Sequence, residues 1–191
     1  MSTPSLLTRQ RPLPTRLNTA DLLRITSDVA DQLKDGAWSH VLPPAGGWPT
    51  DDRWCRQLFA DDDLDVWAIS WIPDRTTELH DHGGSLGALT VVDGALTEWR
   101  WTGDRLRERR LGAGAQASFP LGWVHDVTWA ESGTSALAAD ATAPGFSAPA
   151  LSVHAYSPPL TVMSYYEVTE RQSLRRVRAE LTDIPERPKR A

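Results

Sequence analysis

The sequence predicts an all-β core, a barrel or sandwich, preceded by one short helix. From Trp54 onward, short runs alternating apolar and polar residues recur at close spacing, mostly divided by Gly or Pro. Such spacing favours an all-β fold over an α/β one. Hydrophobic residues make up 40% of the 191, enough to fill the core of one domain. The nine tryptophans fall between Trp38 and Trp129, which locates that core in the middle of the chain.

Residues 1–17 carry three prolines and scattered arginines and read as a flexible leader. "NTADLLRITSDVADQLKDG" then reads as a helix: Asn18 or Thr19 caps its start, and Lys34-Asp35-Gly36 ends it. Leu22, Leu23, Ile25, Val29 and Leu33 supply an apolar face at helical spacing. "LPPAGGWPTDD" (42–52) is a loop by its Pro and Gly content. In "LDVWAISWI", Trp67, Ile69 and Trp71 point one way and Val66, Ala68 and Ser70 the other. "ALTVV", Asp93-Gly94 and "ALTEWRW" read as a hairpin with Asp-Gly at its turn. Further strands are expected at 105–111, 115–119, 125–130, 135–140, 150–156 and 161–167. "RLRERR" (105–110) reads as a solvated strand or turn. After Glu167 the chain is charged, with part expected to be helical. The expected organisation is a domain over 18–170 and a charged tail over 171–191.

The net charge of −5 and the absence of a basic stripe argue against nucleic-acid binding or electrostatic membrane binding. One cysteine, Cys55, allows no internal disulfide and fits a reducing compartment; it reads as a small buried hydrophobe. No apolar run approaches the roughly 18 residues of a membrane span, and no signal-peptide segment opens the chain. The expected location is cytoplasmic. His40 falls in a loop and is expected to face solvent.

"LHDHGGSLGALTVVDG" (79–94) carries the chemistry. Side chains alternate across a strand, so His80 and His82 share a face and their imidazoles can reach one ion. "GAQASFPLGWVHDV" delivers a third histidine, His125, through a Pro-Gly turn. A His-x-His pair joined by a histidine from a distant strand is how a barrel gathers three ligands around a metal. The two segments resemble the paired motifs of the cupin superfamily at His80, His82, Gly94, Gly114, Pro120, Gly122 and His125. The resemblance implies a double-stranded β-helix barrel. It departs at Asp74, where a glycine is expected, and in lacking an Asn after His125. The usual cupin glutamate, four or five positions beyond the second histidine, is replaced by Leu86 and Gly87. Three neutral imidazoles leave a dication its full charge and leave positions open, which favours an anionic substrate bound directly to the metal. Imidazole ligands alone do not identify that metal.

"LSVHAYSPPL" (151–160) sets Ser152, His154 and Tyr156 on one strand face, where they can relay hydrogen bonds. With "CRQLFADDDLDVWAISWIPDRTTELHDH", this stretch resembles the cysteine dioxygenase family of thiol dioxygenases over about 54–166. The resemblance implies that His80, His82 and His125 bind Fe(II), that Ser152, His154 and Tyr156 form an outer relay, and that Arg56 binds the substrate carboxylate. It treats Trp71 as packing. Animal members cross-link the tyrosine to a cysteine at the place held here by Gly87, so Tyr156 is expected to stay a free phenol, as in many bacterial relatives. Family members acting on 3-mercaptopropionate carry a glutamine at the arginine's position, which gives the neighbouring Gln57 a competing claim. The implied reaction takes a small thiol, L-cysteine first and 3-mercaptopropionate second, and dioxygen to a sulfinate, in a monomer or homodimer. A metal-bearing cupin that binds a small anion without oxidising it is the alternative from outside enzymology.

Overall fold

Asn18 starts helix α1 (Thr19–Lys34) with a reciprocal cap. Its side-chain oxygen accepts from the N–H groups of Ala20 and Asp21 at 2.9 and 3.1 Å, and the Asp21 carboxylate accepts from the Asn18 N–H at 3.0 Å. The buried face is Leu22, Thr26, Ala30 and Leu33, with Leu23, Ile25 and Val29 packed at its edges. Thr26 sits at the centre of that face because its hydroxyl is satisfied twice. It accepts from Thr90 Oγ1 at 2.8 Å and donates to the Leu23 carbonyl at 3.0 Å.

The computed structural model describes residues 16–44, 47–132, 148–182, 184–185 and the backbone of 189–190. The leader to residue 15 and the expected strand at 135–140 lie outside the described residues. Along the chain, the strands begin with β1 (Cys55–Ala60), β2 (Asp65–Trp71), β3 (Arg75–Thr76), β4 (His80–Asp81) and β5 (Leu86–Asp93). Next come β6 (Ala95–Trp101), β7 (Leu106–Gly112), β8 (Gln116–Phe119) and β9 (His125–Ala130). The last are β10 (Ala150–Ser157), β11 (Val162–Val168), β12 (Leu174–Leu181) and β13 (Lys189–Arg190). One sheet has the order β1-β2-β10-β5-β8 and the other β12-β11-β4-β9-β6-β7, while β13 pairs with β3.

The five-stranded sheet is covered on both sides, which is why β2 and β10 are buried at every position. Trp67, Ile69 and Trp71 face the space between the sheets; Val66 and Ala68 face the apolar cluster shared with α1. The same alternation sends Ser152, His154 and Tyr156 inward, since each pairs across from an inward residue of β2. This is the face division expected from the sequence.

Two expectations are corrected. Asp93-Gly94 does not close a hairpin: β5 and β6 belong to different sheets, and the chain crosses between them at Gly94. Gly94 has φ +74°, and a Cβ there would lie 2.8 Å from that of Ala150, so only glycine permits this corner. The hairpin lies one strand later, between β6 and β7. After Glu167 no helix is found among the described residues: residues 174–181 form β12, which extends the sheet beyond β11. No helix among the described residues is long and apolar enough to cross a membrane.

Candidate metal centre

Strand β4 is two residues long and lies between β11 and β9, which sets His80 directly across from His125. His82 follows on the same side. The three rings pack with centroids 4.8 to 5.2 Å apart, and all three are buried. Each offers one ring nitrogen, and these atoms lie within 4.8 Å of one another. Asp74, in the place of the expected glycine, adopts φ +56° as a glycine would, leading the chain toward this strand.

The outward-facing nitrogens of His80 and His125 are anchored. His80 Nδ1 lies 2.8 Å from the Glu78 carbonyl, so it carries the proton and leaves the Nε2 lone pair inward. The Glu78 side chain is held by Arg178 of β12, whose guanidinium also lies over the Tyr165 ring. Asp81, on the opposite face from the histidines, accepts from Gly83 N–H at 2.9 Å and Tyr166 O–H at 2.6 Å. The expected tail thus buttresses the His80 strand.

His125 Nδ1 lies 3.0 Å from Glu98 Oε1. Glu98 is 1% exposed and also accepts from Trp123 Nε1 at 3.2 Å and from Arg109 Nε at 2.9 Å. Burial alone would raise its pKa; the hydrogen bond from His125, with the hydrogen bond and charge of Arg109, outweighs it and holds the carboxyl below the usual carboxylate range. With Nδ1 engaged, His125 Nε2 is buried and has no hydrogen-bond partner. His80 Nε2 and His82 Nε2 stand only 3.3 Å apart. An orphaned buried nitrogen beside two others in mutual contact is what a metal site requires of its ligands, and the donor set suits one. Glu98 was missed by sequence reasoning, although it shares a strand face with the buried Leu96, where an acid is out of place. Glu98→Gln keeps the shape and an acceptor for His125 but removes the charge. It is expected to weaken divalent-metal binding about 10- to 100-fold, measured by competition with a chromophoric chelator. Unchanged affinity would remove the anchoring role.

The second constellation adjoins the first. Tyr156 packs on His82 with centroids 5.0 Å apart, and Phe119 packs on both His82 and His125. Trp71 Nε1 donates to Ser152 Oγ at 2.7 Å. Ser152 Oγ lies 3.0 Å from His154 Nε2, and His154 Nδ1 lies 3.0 Å from the Tyr156 hydroxyl. Indole N–H is donor-only, so the arrangement that satisfies the row runs from Trp71 through Ser152 and His154. In that arrangement the Tyr156 oxygen accepts from His154 Nδ1–H, and its own O–H is a donor. Trp71, expected only to pack, opens this relay. Gly87 faces Tyr156: a Cβ there would lie 3.2 Å from its ring and 2.9 Å from Phe119. The single cysteine, Cys55, is across from Ile69 on another strand and is half-buried against the core.

Arg56 and Gln57 are exposed on β1 and line an open depression with Cys55, Trp67 and Ile184. Their registers differ. Arg56 pairs with Ala68, whose face turns toward the helix; Gln57 pairs with Trp67, whose face turns between the sheets. His40 is exposed, and β7 is solvated along most of its length.

The sequence profile of the cysteine dioxygenase type I family matches residues 51–169. No curated protein matches the chain. Among solved structures, KdgF from a Halomonas species aligns with a TM-score of 0.43 and 16% identity, over 56% of this chain and 82% of its own. The RmlC-like cupin from Shewanella frigidimarina gives 0.42 and 15%, over 56% of this chain and 77% of its own. The cupin domain of Cnp3 from Schizosaccharomyces pombe gives 0.41 and 6%, over 56% of this chain and 64% of its own. The architecture is two facing antiparallel sheets, a β-sandwich.

Proposed function

From the premise that this chain belongs to the cysteine dioxygenase type I family, we propose that it is an iron(II)-dependent thiol dioxygenase. It would convert a small thiol and dioxygen to the sulfinate, RSH + O2 → RSO2H, with L-cysteine as the leading substrate. The observation that carries this reading is the convergence of three buried imidazoles with no carboxylate among them. His80, His82 and His125 would hold the ion. When bound, it would supply thiol acidification and the redox step with dioxygen.

The protein's own residues do the rest. Phe119 and Tyr156 wall the histidine cluster and limit water beside it. The Trp71–Ser152–His154 relay orients the Tyr156 hydroxyl to donate a hydrogen bond to a bound anion. Tyr156→Phe is therefore expected to retain its metal while turning over on the order of a hundredfold more slowly. Loss of metal in that variant, read by metal analysis, would refute the relay's role.

A second substrate reading has its own support. Gln57, on the inward register beside Arg56, favours 3-mercaptopropionate, given the resemblance that links a glutamine at the arginine's position to that thiol. Oxygen uptake by the iron-loaded protein with a panel of small thiols, and identification of the product as a sulfinate, tests all readings. A cupin that only binds an anion would consume no dioxygen.

A further inference from the structure

One buried acid on the inner face is used by neither the histidine cluster nor the tyrosine relay. Asp65 opens β2 directly across from Tyr156; Tyr156 lies across from Gly87, and Gly87 from Phe119. Residues opposite one another in antiparallel strands share a face, so these four form one rung inside the sandwich. Tyr156 and Phe119 both pack on His82, so the rung runs beside the histidine cluster. Asp65 is its only carboxylate.

Asp65 is 4% exposed. Its Oδ2 accepts from Trp67 Nε1 at 3.0 Å and from the Leu160 N–H at 3.4 Å. Its Oδ1 is buried and meets no donor at full hydrogen-bonding geometry among the described residues, although the backbone N–H groups of Asp65 and Tyr156 point close enough to favour the anion. A buried carboxylate oxygen left without a well-formed hydrogen bond is costly, and folded proteins rarely tolerate one without a reason. Burial lifts the carboxyl to about 6 against the pull of hydrogen bonds from the Trp67 indole and the Leu160, Asp65 and Tyr156 backbone, so it is still largely an anion at neutral pH. The rung carries no cation to answer it. Arg56 is on the opposite register, Gln57 is neutral, and the guanidinium of Arg53 lies over Trp71, at the far end of β2 from Asp65.

We propose that Asp65 is a specificity-determining residue whose Oδ1 accepts an N–H of the substrate amine, so that the site prefers amine-bearing thiols to thiols carrying a carboxylate alone. A carboxylate-only thiol would bring a second anion toward Asp65, and like charges repel strongly where water is excluded. The inference rests on the thiol-dioxygenase reading and narrows its substrate class toward L-cysteine and away from 3-mercaptopropionate.

Three thiols with a two-carbon arm separate the contributions: cysteamine carries the amine alone, 3-mercaptopropionate the carboxylate alone, and L-cysteine both. Their binding to the iron-loaded protein is measured by anaerobic calorimetry. Wild type is expected to bind cysteamine and L-cysteine at least about tenfold more tightly than 3-mercaptopropionate. Asp65→Asn should erase most of that preference with iron content unchanged. Trp67→Phe, which removes an indole donor but keeps the carboxylate, should preserve it. Equal affinities in wild type, an equal weakening of all three thiols in Asp65→Asn, or loss of the preference in Trp67→Phe would each overturn the proposal. Because no dioxygen is present, binding with the expected preference but without later sulfinate formation would sink the dioxygenase reading alone. Sulfinate formation without the preference would sink only the Asp65 assignment.

Discussion

His82→Ala is expected to load no iron and to consume no dioxygen, while the fold survives. The His82 ring packs against those of Phe119 and Tyr156, and its Nε2 faces that of His80. Removing it leaves two nitrogen ligands, those of His80 and His125, and the ligand group found among the described residues holds no carboxylate to replace the third. The loss of affinity should exceed the roughly 10- to 100-fold that follows removal of an outer hydrogen bond, such as that of Glu98. Metal analysis and oxygen uptake should therefore fall together, with circular dichroism unchanged. The fold should survive because the ring lies beside the core, whose bulk is Trp67, Ile69, Trp71, Leu89 and their neighbours. Oxygen uptake at the wild-type rate in this variant would remove the metal assignment and everything built upon it.

What the sequence disclosed follows from which forces act locally. Strand alternation is a local steric property, so the inward sets Trp67, Ile69, Trp71 and Ser152, His154, Tyr156 could be read directly. The helix cap at Asn18 is equally local. The failures came where distant partners decide. Residues 174–181, rich in Arg and Leu, have good intrinsic helix propensity, yet pairing with β11 makes them a strand. Asp93-Gly94 has hairpin chemistry, but the chain there changes sheets, which depends on the position of Ala150. At the site, the histidines were legible from spacing, whereas their anchors were not. Glu98 reaches His125 from another strand, and Arg178 supports Glu78 across 100 residues of sequence. One signal was available: Asp65 and Glu98 each fall on the same strand face as buried apolar residues, a place where an acid needs a reason.

Asp65 should also make stability fall as pH rises, and Asp65→Asn should abolish that fall. The sign follows from where the proton is held more tightly. In the unfolded chain the carboxyl titrates near 3.8, and in the folded protein near 6, mainly through burial. The folded state therefore binds more protons between those values, and unfolding free energy decreases with pH across that window. The full difference corresponds to about 2 to 3 kcal/mol lost by neutral pH. Glu98 acts in the opposite sense and lower down: its stabilisation is complete above about 4.5 and lost as pH falls toward 2. Comparing wild type with Asp65→Asn at each pH cancels Glu98 and every other shared group. The asparagine adds an offset of its own, but a neutral side chain makes that offset independent of pH. Urea unfolding at pH 4 and pH 7.5 should thus show the variant gaining about 2 to 3 kcal/mol on wild type between the two, or roughly 4–10 °C in Tm. A difference that stays constant with pH would mean that Asp65 is no more costly folded than unfolded. A gain of the expected size would mean that this carboxylate weakens the fold at neutral pH, the pattern of a group kept for binding and not for packing.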